Sequence, residues 1–172
     1  MPPVGSRNVL LTGRPGIGKT TVIMRLAELV RDRDNLAGFY TEEIRDGGVR
    51  RGFGAATFSG KSTVLAHVAF KAGPRVGRYR VDVPAFEELV IPELARPADL
   101  VLIDEIGKME CFSSRFVEVV RGLLDSPTPL VATVAVKGGG FIAEVRARSD
   151  VDIQEVTASN REELPQRLAQ NW

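Results

Sequence analysis

The chain has one cysteine, one histidine and one tryptophan among 172 residues. A lone cysteine, Cys111, excludes an internal disulfide and fits a reducing compartment. No second metal-type ligand lies near it in sequence, so it reads as a buried thiol rather than a zinc ligand or nucleophile. His67, on an apolar run, reads as structural, and the terminal Trp172 is expected to pack loosely. No apolar run approaches the ~20 residues that a membrane-spanning helix needs. The opening MPPVGSRNV lacks the charged, apolar and small-residue segments of a signal peptide, so a cytoplasmic location with no membrane partner is expected. Neither sign of charge dominates: 23 basic and 22 acidic residues leave a net charge of +1, and nothing global pulls the chain toward nucleic acid. At 44% hydrophobic and 26% charged the composition is that of an ordinary globular protein. With no internal repeat, low-complexity tract or interdomain linker, residues 1–172 read as one domain, expected to be a monomer.

What the chain does contain is NVLLTGRPGIGKTTVIMRLAE, residues Asn8 to Glu28. A short apolar run leads into a glycine-rich turn, and Ile23, Leu26, Ala27 and Val30 then recur at helical spacing, which predicts strand, turn and helix. The turn matches G-x-x-x-x-G-K-[ST]. Gly13 and Gly18 permit backbone angles that let successive N–H groups point at a phosphate chain, and the helix starting near Lys19 adds its positive N-terminal end. Candidate nucleotide-binding residues are Gly13, Arg14, Pro15, Gly16, Ile17, Gly18, Lys19, Thr20 and Thr21. Lys19 would reach the β- and γ-phosphates, and the Thr20 hydroxyl would sit on Mg²⁺.

After this helix, expected to end near Arg33 to Asn35, two β-rich runs flank Asp46-Gly47-Gly48 and predict a hairpin. TVLAHVAF reads as a further strand and VGRYRVDV as an alternating one. Pro84 opens a helix, with Asp82 as its cap, that Pro92 should kink or divide. Leu100 to Ile103 is continuously apolar, the pattern of a strand covered on both faces, and Pro129 to Ala135 repeats it. A helix is expected from Ser113 or Ser114 to Leu124 and another from Phe141 to Arg148. A last strand covers Val151 to Val156, and a final helix from Arg161 has Asn160 as its cap. Strands alternating with helices at both ends imply a three-layer α/β fold, mainly a parallel sheet, with residues 38–83 as an antiparallel, hairpin-rich insertion or extension.

The second chemical stretch is LVLIDEIGKME, residues Leu100 to Glu110. An apolar strand ending in acids delivers carboxylates to the edge of the sheet where ligands of open α/β folds bind. Asp104 would hold Mg²⁺ opposite Thr20, and Glu105 would aim a water at the γ-phosphorus.

GRPGIGKTT, GFYTEEIRDGGVRRGF, IDEIGKME and TASNR, in that order over nearly the whole chain, resemble the cancer-related nucleoside-triphosphatase family, also described as the thermophilic nucleotide phosphatases. The resemblance implies a P-loop NTPase fold of the RecA-like group. It also implies slow Mg²⁺-dependent hydrolysis of several ribonucleoside triphosphates, with diphosphates poorer substrates. Cys111 stands where a larger apolar residue is expected, a departure bearing on packing. In this reading Glu105 and Lys19 carry the catalysis, and the missing [NT]-K-x-D stretch points to ATP, GTP, CTP and UTP alike.

Other residues have two readings. Lys108 either touches phosphate or pairs with a carboxylate such as Glu110. Thr41, Glu43 and Arg45 should share one strand face, with Glu42 on the other, turned to nucleotide or to solvent. Arg146 and Arg148, beyond the Gly138-Gly139-Gly140 loop, and Arg78 are candidates for a cation on the γ-phosphate. Asn160 and Arg161 either face the base or ribose or form an ordinary cap. A nucleotide or small-molecule kinase, with residues Gly138 to Arg148 as its lid, is the enzymatic alternative. The alternative of another class is a nucleotide-dependent nucleic-acid binder, using the basic residues Arg45 to Arg80. Without aromatic stacking positions in an RNA-binding motif, that segment reads as a solvated face.

Overall fold

The computed structural model describes residues 7–171. Most of the expected frayed lead-in, residues 1–6, and Trp172 lie outside them. The described residues form one nine-stranded sheet with helices on both faces. Strand β1 (Asn8–Thr12) leads through the glycine turn into α1 (Lys19–Val30), which stops at Val30 instead of near Arg33 to Asn35. Then come β2 (Leu36–Asp46), β3 (Val49–Thr57) and β4 (Ser62–His67). Two short strands follow, β5 (Arg75–Val76) and β6 (Tyr79–Val81). The second half runs α2 (Val83–Leu94), β7 (Leu100–Ile106), a 3₁₀ turn (Glu110–Phe112), α3 (Ser114–Asp125), β8 (Leu130–Val134), α4 (Gly140–Arg146), β9 (Val151–Glu155) and α5 (Leu164–Ala169).

The sheet order is β5-β6-β4-β3-β2-β7-β8-β1-β9. From β2 to β9 every pairing is parallel, and from β2 to β5 every pairing is antiparallel. Strand β2 belongs to both halves: Leu36–Phe39 pair with Leu100–Ile103 of β7, and Phe39–Asp46 pair with β3. The antiparallel segment is therefore an extension of the same sheet, reached by one strand outgrowing its neighbour. With β8 lying between β1 and β7, the parallel half has the expected RecA-like arrangement.

Continuous apolar strands are stable here because both faces are covered. On β1, Val9 and Leu11 pack toward α1 and α5, whereas Leu10 packs toward α2, α3 and α4. On β7, Leu100 and Leu102 take the first face, and Val101 and Ile103 the second. At the centre of the second face Phe39, Phe86 and Phe116 meet edge to face, with ring centres 5.4 to 5.9 Å apart. Each such pair adds about 0.5–1.5 kcal/mol beyond the area buried.

Three local expectations are corrected. VGRYRVDV is a tight hairpin rather than one strand: Gly77 turns the chain, and Arg75 and Val76 pair with Arg80 and Tyr79. Pro92 does not divide α2, which runs on to Leu94. Tertiary anchors hold that last turn: Leu94 is buried, and the Glu93 carboxylate accepts from Gly38 N at 3.2 Å, Ser59 Oγ at 2.7 Å and Arg96 Nη1 at 2.7 Å. Asn160 does not cap a helix; its Oδ1 accepts from Thr157 N at 2.8 Å, its Nδ2 donates to Glu155 O at 2.8 Å, and α5 begins only at Leu164. Asp82 does cap α2, accepting from Ala85 N, and Ser113 caps α3, accepting from Phe116 N.

Gly38 sits where β2 meets β7, with φ +127° and no room for a side chain: a Cβ there would lie 1.8 Å from Leu102 O. Gly38→Ala is expected to force the two central strands apart and cost about 3 kcal/mol or more. Urea unfolding followed by circular dichroism checks this, and a midpoint equal to that of the unsubstituted chain would contradict it.

Candidate functional site

The site lies where β1, β7 and β8 end on the same edge of the sheet and β2 runs past them. The loop after β1 folds back on itself: Lys19 Nζ donates to Gly13 O at 2.5 Å and to Arg14 O at 3.3 Å. From α1, Thr20 Oγ1 donates to Asp104 Oδ2 at 2.8 Å. From β8, Thr133 Oγ1 donates to the other oxygen, Oδ1, at 2.7 Å. Thr41 N of β2 approaches Oδ2 at 3.4 Å. Asp104 is thus bound from three elements while being only 3% exposed. Across Asp104 and Glu105, strand β7 bulges against β8, the register stepping from Ile103 opposite Ala132 to Ile106 opposite Val134, and the Asp104–Glu105 peptide is cis.

A cavity of about 430 Å³ opens at this edge. Pro15, Gly16, Gly18, Lys19, Thr20 and Thr21 form its floor, and Asp104 and Glu105 stand at one side. The antiparallel extension completes the wall with Thr41, Glu42, Glu43, Arg50 and Phe53, Thr41 lying beside Asp104. Alternation puts Glu42 on the other strand face from Thr41 and Glu43, yet all three border the cavity, where the Thr41 main-chain N–H also faces Asp104. Of the remaining loop residues, Ile17 is buried in the core beneath and Arg14 is exposed.

Burial pushes the Asp104 carboxyl above its ordinary range, opposed by the hydrogen bonds from Thr133, Thr20 and Thr41 and by the charge of Lys19. Burial also raises Glu105, with the neighbouring Asp104 charge adding and Lys19 opposing. Behind them Glu110, 3% exposed, is raised well above 4.5, by burial first and then by the charge of Glu105. Gly107 separates the two glutamates: a Cβ there would lie 2.7 Å from Glu105 Oε1 and 2.9 Å from Glu110 Oε1. Cys111 is pushed up to about 12 by burial, then by Glu110 and Glu105, which suits a packing thiol. His67 Nδ1 accepts from Ala69 N at 3.0 Å, a local structural bond.

The arginines distribute differently from the sequence expectation. Arg148 is held by Asp125 and Asp150 at 2.7 Å each, away from the cavity. Arg78 lies over the Tyr79 ring and donates to Arg50 O. Arg146 comes closest, its Nη1 3.1 Å from Thr12 Oγ1 at the end of β1, without lining the cavity. The arginine that does line it is Arg50, with its guanidinium 5.1 Å from the Phe53 ring centre, Nε 2.8 Å from Tyr79 Oη and Nη1 3.3 Å from Glu43. Its placement depends on the register of β2 against β3, which no local pattern reveals. Thr133 was also missed; its one signal is a hydroxyl within an otherwise apolar strand. Arg161 Nη1 donates to Ile17 O at 3.1 Å, and its Cδ would lie 3.6 Å from a Cβ on Gly18, so this side chain rests on the phosphate-binding loop. Asn160 spends its side chain on its own loop. Lys108 makes no ion pair with Glu110 or any other acid among the described residues.

A glycine loop feeding a helix, its lysine and threonine facing a strand-end acid across one cavity, defines the P-loop NTPase class. Comparison narrows this. The sequence pattern of the family described as NTPase matches residues 8–169. The nucleoside-triphosphatase THEP1 of Thermotoga sp. (strain RQ2) is 42% identical over 159 residues, 91% of this chain and 90% of that protein. The cancer-related nucleoside-triphosphatase of Homo sapiens is 42% identical over 177 residues, 92% of this chain and 93% of that one. The crystal structure of THEP1 from the hyperthermophile Aquifex aeolicus superposes with a TM-score of 0.84 at 34% identity, covering 94% of this chain and 96% of that chain. The chain belongs to this nucleoside-triphosphatase family.

The buried Glu110 generates a pH prediction. Its folded form keeps a proton above 4.5, where the unfolded chain has released it, so stability falls as pH rises through that window. Glu110→Gln removes this ionisation. Its melting temperature relative to the unsubstituted chain is expected to rise progressively as the pH is raised above 4.5, and a constant difference would contradict the assignment.

Proposed function

We propose that the chain hydrolyses nucleoside triphosphates to diphosphate and phosphate, slowly and with broad base tolerance, diphosphates being poorer substrates. The observation that carries this is the 2.8 Å bond from Thr20 to Asp104, which brings the phosphate-binding loop and the strand-end acid to one cavity beside Glu105. Loop amides and Lys19 hold the β- and γ-phosphates. Glu105 orients a water in line with the γ-phosphorus and takes its proton as the bond to the β,γ-bridging oxygen breaks. Burial and the neighbouring Asp104 charge raise the Glu105 carboxyl, which makes it a stronger proton acceptor for that transfer.

Thr20 Oγ1 and Asp104 Oδ2 are two hard oxygens at the cavity wall, and this pair fits Mg²⁺, which takes one or two protein ligands and completes its shell with water and phosphate. Bound there, Mg²⁺ supplies neutralisation of phosphate charge. Arg50 supplies a second cation from the extension. Its partners Glu43 and Tyr79 draw off part of its charge, in keeping with slow turnover. The guanidinium plane of Arg161, lying over the loop, offers stacking to a base of any identity. Every group comes from one chain, so the reading needs only a monomer.

Phosphate release from ATP, GTP, CTP and UTP with Mg²⁺ and no acceptor tests this. All four are expected to turn over at similar rates. Glu105→Gln is expected to lower kcat about 100-fold or more with nucleotide binding retained, and Lys19→Ala to lose both binding and turnover. Arg50→Ala is expected to lower kcat about tenfold, by removing a cation from the phosphate wall. Tight nucleotide binding without phosphate release would overturn the hydrolytic reading.

A further inference from the structure

The phosphate cavity does not end at Glu105. Thr41, Phe53 and Glu105 also wall a second cavity of about 290 Å³, which continues behind the acid. Val76 and Lys108 in turn border both this inner cavity and an open outer cleft of about 990 Å³. The outer cleft lies between the β5–β6 hairpin, the Lys108–Phe112 turn, α3 and the Gly138-Gly139-Gly140 loop. The three cavities therefore adjoin in series through shared wall residues, from the γ-phosphate end of the nucleotide cavity to an outer cleft in the size range of small-molecule sites.

Charge along the series is uneven. Arg75 and Lys108 face the outer cleft, Lys108 and Lys137 the inner cavity, and none of the three has an ion pair or side-chain hydrogen bond among the described residues. The acids of the outer cleft are already taken: Arg121 binds both Glu118 and Glu144. The unpaired charge of the outer cleft is positive, while the inner cavity carries Glu105 and Glu110 with Lys108 and Lys137, among the apolar side chains of Leu65, Val76, Met109 and Ala135. Such a series suits a molecule whose anionic group stays with the cations and whose hydroxyl arm passes the apolar side chains to Glu105. Hydrolysis alone uses neither the outer cleft nor its unpaired cations.

We propose that the outer cleft and inner cavity form a second-substrate site for a small anionic alcohol, which takes the γ-phosphoryl group in place of water. This rests on the nucleotide-binding reading above. The acceptor oxygen forms the new bond to the γ-phosphorus, the bond from that phosphorus to the β,γ-bridging oxygen breaks, its electron pair leaves with the nucleoside diphosphate, and the hydroxyl proton passes to Glu105. The products are a phosphate ester and a nucleoside diphosphate, and release of free phosphate is the reaction that remains when water takes the acceptor's place.

The test uses the full chain with Mg-ATP. Two anionic arms are added separately, sugar phosphates (ribose 5-phosphate, glycerol 3-phosphate) and hydroxycarboxylates (glycerate, malate), with ribose and glycerol as neutral controls. ADP and free phosphate are measured together, and the acceptors alone are titrated by calorimetry. The expected result is ADP in excess of phosphate with one anionic arm only, label from the γ-position recovered in that acceptor, and no excess with the neutral alcohols. Arg75→Ala and Lys108→Ala are each expected to raise the acceptor concentration for half-maximal transfer about tenfold. Circular dichroism confirms that both exposed-site variants fold. ADP and phosphate equal in every arm would overturn the proposal, as would binding without transfer, or neutral alcohols serving as well as anionic ones. Failure of the nucleotide reading itself is seen separately, as the absence of Mg-ATP binding by calorimetry.

Discussion

The Asp104 carboxylate is the constraint on which the site depends. It is almost wholly removed from water, and burial of a carboxylate is costly unless its oxygens are satisfied. Thr20 satisfies one from the first turn of α1, and Thr133 the other from β8. Each bond joins elements distant in sequence, so one carboxylate locks the phosphate-binding loop to the centre of the sheet. The loop geometry that would cradle a phosphate chain is thereby held by packing that also serves the fold.

The sheet supplies the rest of this rigidity. Because helices cover both faces of its parallel half, β1, β7 and β8 have no freedom to shift register without moving buried side chains on two sides at once. Strand β2 converts that rigidity into a wall. Anchored beside β7 by Leu36–Phe39, it projects past the sheet edge and carries Thr41, Glu42 and Glu43 along the cavity, with Arg50 and Phe53 brought opposite by β3. The closeness of Gly38 to Leu102 marks the point where this arrangement tolerates least change.

The parts of this architecture readable in the sequence are those encoded locally. The glycine spacing from Gly13 to Gly18, the apolar run ending in Asp104 and Glu105, the Asp82 cap and the turn at Gly47-Gly48 each depend on neighbours within a few residues, and each stands where expected. What was not legible depends on contacts between distant segments. Pro92 stays helical because Glu93 is bound from β2 and from the turn after β3. Arg50 reaches the cavity only through strand register, while Arg148, equally promising in sequence, is held by Asp125 and Asp150. The pairing of Asn160 with its own loop, rather than with a helix end, follows from where α5 begins.

The most direct measurement is a crystal structure of the full chain with Mg²⁺ and a non-hydrolysable triphosphate. The phosphates are expected in the cavity between the Gly13 to Thr20 loop and β2, with Lys19 Nζ moved from Gly13 O onto the β- and γ-oxygens. The metal is expected at Thr20 and Asp104, and Glu105 within one water of the γ-phosphorus. A triphosphate bound elsewhere, or a γ-phosphate turned away from Glu105, would contradict this arrangement.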